Sequence, residues 1–373
     1  MRKGSESDGF VHRRSVDQKL PEGTSLSHQP TTVADLPAFS VLIDVRSPAE
    51  YALDHIPGAI NCPVLDDDER RVVGTTYVQV SAFEARKIGG AMVARNIARH
   101  LDELMRDKPR DWRPLLYCWR GGMRSGSFVN WLRLVGWDAQ QLKGGYKAWR
   151  AHVIHQLAAR APALPLRVLC GPTGSAKTRV LHALAQQGEQ VLDLEALAAH
   201  RGSVLGDVPG TVQPSQKGFE TQLLHALDGL DPQRRIWVEA ESRRIGRLTV
   251  PEPLLQRLRE SPVVEIAATR EARLAYLLRD YAWLGDDPQR LADKLGGLRE
   301  LLPKETLARW QAFALQRELP QLFDALMAQH YDPLYARSQG RQLERIGQAQ
   351  RVEADDLSPD GIAALARRIA SLP

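Results

Sequence analysis

The sequence predicts an α/β protein in which two parallel-sheet domains follow one another. Short apolar, β-branched runs such as Val41–Val45 and Leu166–Cys170 alternate with stretches of helical periodicity, which is the order expected of parallel sheets. The alternation restarts after a proline-containing linker at residues 161–165, so we expect a second sheet there. Beyond Arg270 the apolar period becomes helical, which predicts a helical C-terminal region.

Composition is typical of a globular protein of the cytoplasm. The chain has 373 residues, of which 43% are hydrophobic and 25% charged, and a formal net charge of +5, which mildly favours a polyanionic partner. Its three cysteines are widely spaced and form no Cys-x-x-Cys pair, which argues against a disulfide framework and a zinc site. No apolar run approaches the roughly 18 residues that span a membrane. The N-terminus also lacks the apolar core of a signal peptide, so we expect a cytoplasmic location and no membrane partner.

Three segments are expected along the chain. Residues 1–28 are polar and lack apolar periodicity, which is typical of a disordered extension. Residues 29–160 hold the first α/β domain, in which a polar, acidic stretch, Asp66–Arg71, is expected to precede a helix that begins at Ala82. Residues 161–373 hold the second α/β domain with its helical C-terminal part.

A cysteine stands at the end of a short apolar strand in the first domain. Cys118 follows Leu115–Tyr117, and the loop behind it contains Arg120, Gly121, Gly122 and Arg124. Backbone N–H groups of such a loop and of a helix N-terminus bind anions and favour thiolate over thiol. We therefore interpret Cys118 as a catalytic nucleophile, with the two arginines and the two glycines as anion-binding partners. The alternative is a buried, unreactive cysteine at the end of a core strand.

The second domain begins with a strand, a glycine-bearing loop and a helix, which is the context of a P-loop. In a P-loop, backbone N–H groups cradle phosphate oxygens, a lysine neutralises them, and a hydroxyl ligates magnesium. The expected phosphate-binding residues are Gly171, Thr173, Gly174, Lys177 and Thr178. Ala176 departs from the pattern, because glycine is expected before the lysine and alanine at positive φ costs about 1–2 kcal/mol. The sequence leaves open whether ATP or GTP binds there, or whether the lysine is incidental to a helix start.

Two further strands of the second domain end in carboxylates, Asp193 and Glu239. A carboxylate at a strand end beside a P-loop is placed to hold a metal-bound water. We therefore expect magnesium as a candidate ion, although no firmly bound metal or cofactor. The alternative is that Glu239 and the neighbouring Glu241 pair with nearby arginines.

Five arginines cluster within fourteen residues of the second domain: Arg234, Arg235, Arg243, Arg244 and Arg247. Such a cluster is typical of a surface that contacts nucleic-acid phosphates. A solvated surface with local ion pairs is the alternative.

Four landmarks of the first domain resemble a rhodanese domain, in that family's order. They are Asp44-Val45-Arg46 with Glu50-Tyr51, His55-Ile56-Pro57-Gly58-Ala59, the Cys118 loop, and Gly144-Gly145-Tyr146 with Trp149. The resemblance implies a rhodanese-like parallel α/β fold whose loop cysteine carries sulfur or selenium. The spacing of Cys118 and Arg124 also fits the phosphate-binding loop of cysteine-based phosphatases, which keeps that alternative open.

A rhodanese-like domain followed by a P-loop domain resembles the tRNA 2-selenouridine synthase family, from about Ile43 to beyond Pro333. Further supporting motifs are Asp193-Leu194-Glu195 with His200-Arg201-Gly202-Ser203, Gln213-Pro214-Ser215-Gln216 with Phe219-Glu220, Glu241-Ser242-Arg243 with Ile245-Gly246, and Tyr331-Asp332-Pro333.

This resemblance implies a transferase that acts on the wobble 2-thiouridine of tRNA. The sulfur is first alkylated by geranyl diphosphate, and selenophosphate then supplies the selenium of 2-selenouridine, with Cys118 as an S-selanylcysteine intermediate. The P-loop would serve the diphosphate, and the arginine cluster would contact tRNA. Two alternatives stay open, a fused cysteine phosphatase and small-molecule kinase, or a sulfur-relay protein that carries persulfide. The sequence leaves undecided which tRNAs are chosen, where the geranyl chain lies and the oligomeric state.

Overall fold

The computed structural model describes residues 31–201 and 210–373, so the expected extension at residues 1–28 lies outside the described residues. Two parallel β-sheets, both flanked by helices, account for most of the fold and confirm the predicted α/β class. Among the described helices, none is both long and apolar enough to cross a membrane.

The first domain contains four strands and five α-helices in the described residues. They are β1 (Val41–Asp44), α1 (Pro48–Leu53), β2 (Ile60–Asn61), α2 (Asp67–Gln79), α3 (Ala82–Glu103), β3 (Pro114–Tyr117), α4 (Met123–Val135), β4 (Gln140–Gln141) and α5 (Gly145–Arg160). The strands form one parallel sheet in the order β2-β1-β3-β4. Because the strands run the same way, the residues that follow β1 and β3, including Arg46 and Cys118, lie at the same edge of the sheet.

Helix α2 begins inside the acidic stretch that we expected to precede the helical region. The Asp66 carboxylate accepts a hydrogen bond from the Glu69 N–H at 2.7 Å, and Glu69 accepts one from the Asp66 N–H at 3.1 Å. This reciprocal cap satisfies the first N–H groups, and the acidic first turn suits the positive end of the helix dipole. The acidic residues therefore start a helix that packs against α3.

The second domain has a five-stranded parallel sheet, a small hairpin and a helical region. Its elements are β5 (Leu166–Cys170), α6 (Lys177–Gln186), β6 (Gln190–Leu192), α7 (Leu194–Ala198), α8 (Gln216–Asp228), β7 (Ile236–Glu239), β8 (Arg244–Ile245), β9 (Leu248–Thr249), α9 (Glu252–Glu260), β10 (Val263–Ala268), α10 (Arg270–Asp280), α11 (Pro288–Leu295), α12 (Lys304–Leu315), α13 (Leu319–Leu326), a π-helix (Met327–Tyr331), α14 (Asp332–Gln342), β11 (Gln350–Ala354) and α15 (Pro359–Ala370). The sheet order is β11-β10-β5-β7-β6, and β8 pairs with β9 in the antiparallel hairpin.

Strand β11 is absent from the sequence prediction, which treated the C-terminal region as helical. It pairs with β10 at the edge of the sheet, and only Val352 and Ala354 of its five residues are buried. A strand with so few apolar residues gives no continuous apolar run, so its period was too weak to recognise. The helical region itself is as predicted, and Trp310 lies fully buried in the core that joins it to the sheet.

A buried polar network joins the two domains. The Asp54 carboxylate, at the end of α1, accepts hydrogen bonds from the Tyr146 hydroxyl at 2.7 Å and from the Thr221 hydroxyl of α8 at 3.1 Å. Arg150 on α5 lies 3.9 Å from Asp54 and forms an ion pair with Glu220 on α8. The Gln213-Pro214-Ser215-Gln216 motif precedes this contact, and the Ser215 hydroxyl caps α8 and donates to the Leu53 carbonyl of the first domain.

Replacing Arg150 by alanine leaves two largely buried carboxylates without their cation, so we expect the free energy of unfolding to fall by about 3 kcal/mol. Denaturant unfolding measures this change. Arg160→Ala is the matched control, because Arg160 lies on the same helix and pairs with the more exposed Asp228 of α8; its loss should stay within about 1 kcal/mol. Equal losses in the two variants would contradict a special role for the buried network.

Candidate active site

The thiol loop connects the end of β3 to the start of α4. Gly121 adopts a φ of 65°, in the left-handed region, and a Cβ at this position would lie 2.5 Å from the Leu142 carbonyl oxygen. Glycine is therefore required both by its own backbone conformation and by the close approach of the backbone at Leu142. The turn brings the Gly122 N–H to the Cys118 sulfur at 3.3 Å.

Two donors stabilise the Cys118 sulfur as a thiolate. Besides the Gly122 N–H, the hydroxyl of Ser125, in the first turn of α4, donates to the sulfur at 3.2 Å. Burial opposes ionisation of the thiol, but the donors from Ser125 and Gly122 and the charge of Arg124 outweigh it, so the pKa of Cys118 lies below its ordinary value. Burial instead raises the pKa of both Cys62 and Cys170 to about 11. Cys118 is therefore the cysteine that ionises most readily.

The two arginines of the thiol loop have different surroundings. Arg124 forms an ion pair with Glu50 at 2.8 Å, and burial of Glu50 is outweighed by this partner, so the pKa of that carboxyl lies below its usual range. This pairing fixes the guanidinium of Arg124 close enough to the thiol to favour the thiolate. The Arg120 side chain is exposed to solvent.

Trp119 is a residue of the thiol loop that the sequence interpretation did not select. It follows Cys118 directly, is 36% exposed, and packs against the Tyr146 ring with centroids 5.3 Å apart. The Lys217 ammonium, from α8 of the second domain, lies 5.4 Å from the centre of the Trp119 ring. The second domain therefore reaches the edge of the thiol loop, which could not be inferred from residues so far apart in sequence.

The predicted phosphate loop lies between β5 and α6. A Cβ on Gly171 would lie 2.6 Å from the Ser175 hydroxyl oxygen and 2.9 Å from the Ile266 carbonyl oxygen, so the chain requires glycine there. Ala176 has a φ of 58°, the conformation that favours glycine, at a cost of about 1–2 kcal/mol. The Lys177 ammonium donates to the Gly171 carbonyl at 3.0 Å and so lies across the loop at the positive end of α6.

The helical region holds the other side of the phosphate loop. Arg273 of α10 donates to the Thr173 carbonyl at 2.8 Å and pairs with Asp332 at 2.6 Å. Arg273 is buried, so this chain of contacts fixes the loop backbone. It also gives the Tyr331-Asp332-Pro333 motif a structural role, because its aspartate orients the arginine that holds the loop.

Three carboxylates converge beside the phosphate loop. Glu195, Glu239 and Glu241 each place one oxygen within 4.8 Å of the others. The Thr178 hydroxyl donates to Glu195 at 3.2 Å. Asp193 has a different position from the one expected: its carboxylate caps α7 and contacts His182 at 2.7 Å. The Asp193 carboxylate is therefore not one of the three that converge, although its charge contributes to raising the pKa of Glu195 and of Glu239.

The carboxylate cluster holds protons more tightly than isolated glutamates do. Burial and the charge of Glu195 raise the pKa of Glu239 to about 8, although Lys177 and Thr178 offset part of the effect. Burial and the neighbouring glutamates also raise the pKa of Glu241 well above its usual range. Lys177 is the cation whose charge acts on both Glu239 and Glu241, so the structure does not favour the alternative in which nearby arginines neutralise them.

The cluster fits a magnesium ion. Oε1 of Glu239 is buried and has no hydrogen-bond partner within the described part of the chain. Carboxylate and hydroxyl oxygens are the ligands that magnesium prefers, and a divalent cation relieves the repulsion among crowded carboxylates. The residues that would hold it are Glu195, Glu239 and Glu241, with Thr178 beside them.

The structure divides the predicted arginine cluster. Arg234 and Arg235 lie before β7, where Arg234 donates to the Gly188 carbonyl at 3.0 Å and Arg235 pairs with Glu189 at 3.1 Å. The other three follow β7 at its carboxyl end, in or beside the β8-β9 hairpin: Arg243, Arg244 and Arg247. Only this second group shares the edge of the sheet that carries the phosphate loop, because the length of the strand separates the two groups.

The phosphate loop and the carboxylates line a cavity of about 550 Å³. The helical region supplies much of its wall, including Tyr276, Tyr281, His330 and Tyr335. Tyr276 is buried and Tyr281 half-buried, and both face this cavity. Of the His200-Arg201-Gly202-Ser203 motif, Arg201 lines the cavity, whereas Gly202 and Ser203 lie outside the described residues.

Fold and site together define a two-domain protein in which a rhodanese-like thiol domain precedes a P-loop domain. The rhodanese-like domain family matches residues 30–152, and the tRNA 2-selenouridine synthase AAA domain family matches residues 164–296.

Individual proteins that are similar to this chain agree with these matches. Proteins named tRNA 2-selenouridine synthase are 35% identical over 325 residues in Alcanivorax borkumensis (79% of this chain, 88% of that protein) and 35% identical over 340 residues in Marinobacter nauticus (82% and 91%). One from Nitrosomonas europaea is 38% identical over 253 residues, 67% of this chain and 64% of that protein, which is less than two thirds of its length. This chain therefore belongs to the tRNA 2-selenouridine synthase family, as the sequence predicted.

Replacing Ser125 by alanine removes a donor to the thiolate, so we expect the pKa of Cys118 to rise. The rate of alkylation by iodoacetamide, measured against pH, should then reach its midpoint at higher pH than in the unaltered protein. Ser127→Ala is the matched control, because its hydroxyl donates to the Met123 carbonyl on the same helix. An unchanged midpoint in Ser125→Ala would contradict the assigned hydrogen bond.

Replacing Glu239 by glutamine should alter the pH dependence of stability. The pKa of Glu239 is about 8 in the folded protein and about 4.3 in an unfolded chain. Between these values the folded state keeps a proton that the unfolded state releases, so stability falls as pH rises. Without divalent cations at pH 8, Glu239→Gln should therefore have a higher Tm than the unaltered protein.

Magnesium should raise the Tm of the unaltered protein more at pH 8 than at pH 6, and should leave Glu239→Gln unchanged. Differential scanning calorimetry measures both effects. Glu353→Gln is the control, since Glu353 is exposed and forms a surface ion pair with Arg351. The site is refuted if magnesium stabilises Glu239→Gln as much as the unaltered protein.

Proposed function

We propose that this protein is a tRNA 2-selenouridine synthase that converts wobble 2-thiouridine to 2-selenouridine through a geranylated intermediate. The observation that carries the proposal is the ionisable Cys118, held by the Gly122 N–H and the Ser125 hydroxyl, on the same chain as a phosphate loop. Membership of the family supports the tRNA substrate, and two separate anion sites suit a reaction with two phosphorus-containing donors.

The first step is assigned to the P-loop domain. The loop N–H groups, Lys177 and Thr178 bind the diphosphate of geranyl diphosphate, as P-loops bind other diphosphates. Magnesium, held by Glu195, Glu239 and Glu241, would supply positive charge against the diphosphate leaving group. The sulfur of 2-thiouridine forms a bond to C1 of the geranyl group as the bond from C1 to the diphosphate oxygen breaks.

The second step is assigned to the Cys118 loop. Its N–H groups, Arg120 and Arg124 bind the phosphate of selenophosphate, which places selenium next to the thiolate. At C2 of the base a C–Se bond forms and the C–S bond breaks, so geranylthiol leaves, and water accepts the phosphoryl group as phosphate. Alkylation makes the sulfur a better leaving group. The S-selanylcysteine form of Cys118 stays a prediction.

The tRNA surface is assigned to the carboxyl edge of the second sheet. Arg243 and Arg244 are exposed there and directly follow Ser242, which lines the phosphate cavity, so they are available to contact backbone phosphates. Arg234 and Arg235 are engaged at the opposite edge and are not part of this surface.

Two single substitutions should each block one step and leave the other intact. Cys118→Ala should stop selenium incorporation yet leave geranylation of a 2-thiouridine RNA intact, because the phosphate loop is unchanged. Lys177→Ala should lower geranylation by about a hundredfold or more, since it removes the cation on the transferred diphosphate, while an RNA supplied already geranylated should still gain selenium.

Mass spectrometry of nucleosides from RNA incubated with each variant measures both products. Each retained step shows that the variant is folded, so the two variants are controls for each other. Loss of both steps in Cys118→Ala, or normal geranylation in Lys177→Ala, would contradict the division of labour.

A further inference from the structure

A second cavity, of about 500 Å³, lies in the first domain beside the thiol loop. Its walls come from three helices, α2, α3 and α4, together with Leu65, which precedes α2. Most of the lining is apolar, and its volume is within the range of small-ligand sites. Neither proposed step uses it so far.

The cavity exposes apolar side chains that a monomer would normally cover. Tyr77 is 61% exposed, Met123 70% and Trp131 48%. Four of the lining residues on α3 are small, namely Ala85, Gly89, Gly90 and Ala94, and a Cβ added to Gly90 would meet nothing within 4 Å. An apolar hollow with exposed aromatic edges indicates a binding site for an apolar group.

The hollow adjoins the reactive thiol through the first turn of α4. Met123 and Arg124 line it, and the residues on either side of this pair, Gly122 and Ser125, donate to the Cys118 sulfur. A substrate that reacts at the Cys118 loop therefore has an apolar space nearby for any apolar group that it carries.

The charged residues of the lining are three arginines, and most of the remaining lining is apolar. Glu50 pairs with two of these arginines, Arg124 at 2.8 Å and Arg70 at 3.8 Å. A third arginine, Arg86, donates to the Ala82 carbonyl at 3.1 Å. Because most of the lining is apolar, the hollow suits a hydrocarbon chain better than a diphosphate, for which the second domain has the P-loop.

We infer that this cavity, named here the prenyl pocket, holds the geranyl chain of the S-geranylated wobble base while selenium replaces sulfur at C2. The inference rests on the proposed function, and it adds a site for the leaving group, which departs as geranylthiol. Burial of the chain orients the base so that C2 faces the selenium held at Cys118. A shorter S-alkyl chain fills less of the pocket and should be exchanged less efficiently.

The test compares two anticodon stem-loop RNAs, one with S-geranyl-2-thiouridine and one with S-dimethylallyl-2-thiouridine, each incubated with selenophosphate. For the unaltered protein, kcat/KM should favour the geranyl substrate by about tenfold or more, since five further carbons are buried. Gly90→Leu and Ala94→Phe fill the pocket from α3 and should reduce this preference to near unity. Because the two variants change different positions, the test can still be made if one of them does not fold.

Ala91→Phe is the matched control, because Ala91 is exposed on the same helix and does not line the cavity; it should keep the preference of the unaltered protein. The inference alone is overturned if the unaltered protein shows no preference, or if both pocket variants keep it. It is also overturned if those variants change only the oligomeric state in light scattering, since the groove would then join two copies. If the unaltered protein exchanges neither substrate, the proposed function fails with it.

Discussion

Parallel strand direction is the constraint on which both candidate sites depend. In each of the two parallel sheets all strands run the same way, so every loop that follows a strand emerges at one edge. In the first domain this places Cys118 and its glycine pair at the carboxyl edge. In the second domain it brings the loop after β5, the end of β7 and the start of α7 together, which assembles Lys177 with three glutamates from distant parts of the sequence.

The same geometry produces opposite electrostatic results in the two domains. At the thiol, hydrogen-bond donors and Arg124 outweigh burial, so the anion is favoured. At the glutamates, burial and mutual repulsion favour the protonated form. The first site therefore favours an anionic nucleophile, whereas the crowded carboxylates of the second favour protons or a cation. The polar network of Asp54, Arg150 and Glu220 holds the two domains in one arrangement.

Sequence alone identified what short contiguous motifs encode. The cysteine loop and the P-loop each follow a strand directly, so their residues could be named and their chemistry inferred before the fold was known. The α/β class followed from the same alternation of strands and helices. The conformation of Ala176 was also foreseeable, since the position it occupies requires a positive φ.

Features that depend on spatial neighbours were missed. Glu195 joins Glu239 and Glu241 only because β6 lies beside β7, an order that sequence does not reveal. Strand β11 has too few apolar residues to be recognised, and the aromatic wall of the phosphate cavity comes from helices more than a hundred residues away along the chain. The arginine cluster shows the converse: residues that are close in sequence lie apart in the fold, because β7 separates Arg234 and Arg235 from the other three arginines.

The most direct test of the central claim is the nucleoside composition of tRNA from cells that lack this protein. Mass spectrometry should show loss of both 2-selenouridine and geranylated 2-thiouridine, with 2-thiouridine retained, and return of both after the intact gene is restored. Unchanged levels of 2-selenouridine in the deficient cells would contradict the account.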